Sequence, residues 1–76
     1  MTEFFSLFEK WVTADRAATQ AEYRLSHLLD LYCEGIGPAP SLAVIAEARE
    51  LRAVANARLR SLWKLAHEAR ACVPVI

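Results

Sequence analysis

Residues 4–32, FFSLFEKWVTADRAATQAEYRLSHLLDLY, place apolar or small side chains at Phe4, Leu7, Trp11, Ala14, Ala18, Ala21, Leu25, Leu28 and Tyr32. The steps between these nine positions alternate three and four, which puts them on one stripe of a single helix and marks that stripe as a seam for other helices. No proline or glycine interrupts the chain before Gly35, so the pattern predicts helix 1 over about 3–34. Thr2 is suited to cap its free amides, and Glu3 sits where the helix dipole favours an acid. A second flank of Phe5, Phe8, Val12, Leu29 and Leu31 widens the apolar face at both ends, while Ala14, Ala17, Ala18 and Ala21 keep its middle narrow and allow close backbone approach.

The stripe stops at Gly35-Ile36-Gly37-Pro38-Ala39-Pro40. Gly35 is the natural residue for a left-handed helix end, and Pro38 and Pro40 each disfavour a helical residue before them. Ile36 is positioned to fold back over the last turn. A link of this length, residues 35–40, is ordinary between antiparallel helices. Helix 2 then starts with Ser41 as its cap or with Pro40 in its first turn, and runs over about 41–71, ahead of a short tail at 72–76. Its drifting stripe contains Val44, Ile45, Ala48, Leu51, Ala55, Leu59, Leu62, Leu65, Ala66 and Ala69, with Val54 and Trp63 beside it. Arg58 lies next to the stripe, where its stem can cover apolar surface while the guanidinium reaches water or Asp15.

Folding the two stripes together antiparallel sets large against small residues. Phe4 faces Ala71, Phe8 lies near Ala66 and His67, Trp11 is level with Trp63, and Leu25 meets Leu51. The same alignment puts Asp15 level with Arg60 and Glu22 near Arg52. The predicted fold is therefore all-α, a two-helix antiparallel hairpin forming a single domain over 1–76.

A chain of 76 residues buries only about 60% of its unfolded surface if it folds alone. Yet 55% of its residues are apolar and its mean hydropathy is +0.18, more apolar material than two facing stripes use. The surplus predicts homodimerisation into a four-helix bundle. The expected dimer or partner interface comprises Phe5, Phe8, Trp11, Val12, Leu29, Leu31, Val54, Leu62 and Trp63. The aromatic end, with Val73, Val75 and Ile76 available to return over it, could alternatively receive a helix of a partner protein.

Charge divides between the helices. Residues 1–34 hold three basic and six acidic side chains, a net −3, and residues 41–76 hold six basic and three acidic, a net +3, so the whole chain is neutral. Mutual attraction of antiparallel neighbours accounts for this division. On helix 2, Arg49, Arg52, Asn56, Arg60, Lys64 and Arg70 recur on one ridge that could also track phosphates. Glu47, Glu50 and Glu68 dilute that ridge, so nucleic acid ranks behind protein as a partner.

Catalytic, metal and cofactor signatures are missing from the pattern. His27 and His67 fall at different levels of the hairpin, no carboxylate sits on the inner stripes, and Gly35-Ile36-Gly37 is a turn with no strand before it to make a phosphate loop. Cys33 and Cys72 fall at opposite ends of the hairpin, too far apart for a disulfide, so reduced thiols are expected. The start Met1-Thr2-Glu3 lacks a basic leader, and no apolar run approaches the roughly 18 residues of a membrane span. These features lead to the expectation of a cytoplasmic, non-enzymatic interaction or regulatory protein without cofactor, with a nucleic-acid-binding regulator as the alternative. In architecture alone the predicted dimer resembles the small dimeric helical-hairpin RNA-binding regulators of plasmid copy number, with no residue motif in common.

Overall fold

The computed structural model describes residues 2–71, with side chains as far as Glu68. It consists of two helices, α1 (Thr2–Cys33) and α2 (Leu42–Ala71), packed against each other. Thr2 is the first helical residue of α1, one position inside its expected role as cap. The tail, including Val73, Val75 and Ile76 and the thiol of Cys72, lies outside the described residues, as do the side chains of Arg70 and Ala71.

The link shows why each helix ends where it does. The Gly35 N–H donates to the Tyr32 carbonyl at 3.0 Å and the Ile36 N–H to the Leu31 carbonyl at 2.9 Å. These paired bonds satisfy carbonyls left over at the helix end, and they need a left-handed residue between them. Gly35 supplies it with φ of 74°. Ile36 does not fold back as its apolar character suggested, for it stays 70% exposed. The space over Leu31 goes to Gly37, where an added Cβ would meet the Leu31 Cβ at 3.7 Å. At the start of α2, Ser41 is the cap: its hydroxyl accepts from the Val44 N–H at 3.2 Å, and its carbonyl accepts the first helical bond from Ile45.

Where the helices meet, the closest packing is between small residues. Among the described residues Ala18, Ala48 and Ala55 are buried, and Leu62 is the only larger side chain that joins them. The hairpin measures 61 × 22 × 15 Å, a slab two helices wide and one helix thick. A single layer lets each helix bury only the side turned toward its neighbour, so the flanks of both stripes stay in contact with water.

The antiparallel pairing holds, but its details differ from the size-matching alignment. Phe4 lines a groove with Leu59, Leu62, Ala66 and His67, and the side chain of Ala71, expected opposite it, lies outside the described ones. Asp15 pairs with Arg52, not with Arg60 or Arg58. Arginines recur every turn or two along α2, so sign alone leaves several alignments nearly equivalent. Arg52 prevails because its planar fork reaches two carboxylates on one face of α1, Asp15 and Glu22, which sit seven residues apart. The expected proximity of Glu22 and Arg52 is present.

Candidate interaction surfaces

At the centre of the hairpin the Arg52 guanidinium bridges three residues of α1. Its Nη1 donates to Asp15 Oδ1 at 2.9 Å, its Nε to Glu22 Oε2 at 2.9 Å and its Nη2 to Glu22 Oε1 at 2.6 Å, with a longer contact to Thr19 Oγ1 at 3.5 Å. These are the only ion pairs between the helices among the described residues. The Glu22 carboxyl is held below its ordinary value by the Arg52 hydrogen bonds, opposed by partial desolvation and reinforced by the arginine charge. Arg52 in turn is pushed further above its already high value by its bonds to Glu22 and then Asp15. The opposite charges of the two helices thus meet in one clasp, which takes Arg52 out of the basic ridge. Arg49, Asn56, Arg60 and Lys64 remain exposed on α2.

The phenylalanines and tryptophans gather toward the open end of the hairpin. Along α1, Phe5 meets Phe4 edge-on at 6.0 Å, Phe4 stacks on Phe8 at 6.5 Å, and Phe8 tilts against Trp11 at 5.8 Å between ring centres. On α2, Trp63 lies against His67 at 5.3 Å. Between them runs an open groove of about 360 Å³ lined by Phe4, Leu59, Leu62, Trp63, Ala66 and His67. Only the His67 imidazole and the Trp63 indole N–H offer polar groups, so the groove suits apolar side chains more than a polar small molecule, which would need several placed donors and acceptors.

The nine residues expected at an interface do not share one side of the slab. Leu62 is buried inside the hairpin. Val54 is 47% exposed and lines a different groove with Ala14, Ala17 and Arg58. It is nine residues from Trp63, about half a turn out of phase. Leu29 and Leu31, two residues apart, likewise diverge to opposite flanks of α1 by about 160°, and Leu31 is the one the turn partly covers. What remains together on the clasp side is Phe5, Phe8, Val12, Leu29 and Trp63, with Phe5 62% and Trp63 61% exposed. Trp11 is half-buried beneath them.

No protein-family model, curated protein or solved structure matches the chain.

A signal for the clasp side was present in the sequence. Each position of the nine-residue stripe has a successor one residue later, and these run from Phe5 and Phe8 through Asp15 and Glu22 to Leu29 and Cys33 in the same steps of three and four. Polar residues occupy the middle of this second series, which hides it from a search for apolar stripes. Among the described residues no polar or charged side chain is buried, no three His, Cys, Asp or Glu side chains converge, and no helix is long and apolar enough to cross a membrane.

Proposed function

We propose that the protein is a non-enzymatic interaction module of the cytoplasm that works as a homodimer, two hairpins stacking into a four-helix bundle. One observation carries this reading. The slab exposes 6253 Å², whereas a compact folded chain of its 8.5 kDa exposes about 4,700 Å². The excess is about twice the 800 Å² that each partner contributes to a standard protein interface. Among the described residues a core of three alanines and one leucine is small support for two helices of 32 and 30 residues, and covering one face of the slab with another hairpin supplies a second layer. Multi-angle light scattering at micromolar concentration should give twice the chain mass, and thermal unfolding should rise in midpoint with protein concentration. A folded chain that stays monomeric with a concentration-independent midpoint sinks the proposal.

The second reading, a nucleic-acid surface, is supported by Arg49, Asn56, Arg60 and Lys64, which stay exposed along α2 and form no ion pair among the described residues. If it holds, hairpin RNA or duplex DNA binds at low salt, and binding weakens steeply as salt is added or as Arg60 and Lys64 are replaced by alanine. No binding at low salt removes it.

A further inference from the structure

Resting on the homodimer, we infer which face the second copy covers and how it lies: it docks on the clasp side with the two open ends together, so that α1 of each hairpin runs antiparallel to α2 of the other. The clasp side is the one flank patterned as a helix seam. On α1 it carries Phe8, Asp15, Glu22 and Leu29 at successive intervals of seven. On α2, Ile45, Arg52 and Leu59 follow the same interval, with Trp63 one turn on. From the open end each strip runs from an apolar zone with an aromatic residue (Phe8 on α1, Trp63 and Leu59 on α2) through a charged zone to an aliphatic one.

Two ways of stacking the clasp sides by a two-fold axis are open, and the zones discriminate between them. With the axis along the helices, α1 lies over the partner's α2 at the same level. Phe5 and Phe8 then enter the groove floored by Leu59, Leu62 and Ala66 in the other hairpin, Asp15 and Glu22 face the other Arg52, and Leu29 faces the other Ile45. Each zone meets its complement twice, as an isologous contact requires. With the axis across the helices, α1 lies over α1 with its ends reversed. That sets the carboxylates of Asp15 and Glu22 against their own copies and Arg52 against Arg52, a like-charge juxtaposition that disfavours docking. Both slab faces have a groove that mixes charged and apolar residues, but on the clasp side the central charges Asp15, Glu22 and Arg52 are already paired, whereas Glu9, Lys10 and Arg58 on the opposite face form no ion pair among the described residues.

Cys33 is exposed at the turn end of α1 and serves as a probe in a Cys72→Ser background. Spin labels on Cys33 should lie within about 30 Å of each other in the inferred dimer, since helices pack 8–10 Å apart and both turns are at one end. The reversed dimer separates them by about 44 Å, at 1.5 Å per residue along the helices. Light scattering of two variants reports the face: Phe8→Glu should give monomers and Val54→Glu should stay dimeric. A dimer with labels beyond 40 Å overturns the orientation, and a dimer lost with Val54→Glu but kept with Phe8→Glu overturns the face, each leaving the homodimer standing. A monomeric parent chain removes the homodimer and this inference with it. The label distance needs no charged substitution, so it decides the orientation even if Phe8→Glu fails to fold.

Discussion

Arg52 of α2 holds both oxygens of Glu22 of α1, Nε on Oε2 at 2.9 Å and Nη2 on Oε1 at 2.6 Å. The third donor used, Nη1, lies 2.9 Å from Asp15, so one side chain ties together two turns of the opposite helix. Arg52→Ala should lower the thermal midpoint measured by circular dichroism at fixed protein concentration. Arg52→Lys should recover only a minor part of the loss, because an ammonium cannot span a carboxylate bidentately while reaching a second one. A lysine variant that melts with the parent chain would show that charge alone, and not the fork, matters at this position.

The clasp also sets the acid response. The Glu22 carboxyl titrates below its ordinary value of 4.5, so the folded state binds its proton less readily than the unfolded chain does. The stability it contributes is present above that ordinary value and is lost as pH falls through the lower, folded value. The midpoint of unfolding should therefore drop as the pH is taken from about 5 toward 3, and Glu22→Gln should flatten that part of the profile. An unchanged slope in the glutamine variant would assign the acid response elsewhere.

Packing between the helices should be intolerant in both directions. Among the described residues Leu62 is the one large residue in the core, and Leu62→Ala should cost about 2–3 kcal/mol, toward the low end for a buried leucine because it also lines the open groove. Ala18 is completely buried at the close approach of the helices. Ala18→Leu should cost about 1–3 kcal/mol by forcing them apart. Urea titration measures both, and an Ala18→Leu chain as stable as the parent would mean the helices do not approach closely there.

The two glycines of the turn should separate cleanly. Gly35 has the positive φ, so Gly35→Ala should lose about 1–2 kcal/mol for a left-handed alanine. Gly37 has no such constraint and room for a methyl group against Leu31, so Gly37→Ala should be neutral or slightly stabilising. Equal losses for both variants in denaturant unfolding would contradict the geometry.

The helices themselves were legible in particular residues. The unbroken three-and-four spacing from Phe4 to Tyr32 and the stop at Gly35 place α1, ending at Cys33, to within a residue of the expected limits. Ser41 and Pro40 were equal candidates for starting α2, and the Ser41 hydroxyl bond to Val44 decides between them. The five residues of the second flank, Phe5, Phe8, Val12, Leu29 and Leu31, do not stay together, because helical phase sends Leu31 to the side opposite the other four. Leu62, which belongs both to the stripe of α2 and to the expected interface, is buried between the helices and floors the groove at the open end.

By itself the sequence determined the two helices, the turn, their antiparallel order and the acidic and basic halves, because each depends on local periodicity or on residues adjacent in the chain. Only the tertiary structure decided that Arg52, out of Arg52, Arg58 and Arg60, takes Asp15, and that Val54 and Trp63 line grooves on opposite sides of the slab. A helical pattern repeats every turn, so partners one turn apart look alike along the chain. Choosing among them depends on distances across the seam, where a side chain able to reach two carboxylates outweighs one able to reach a single carboxylate.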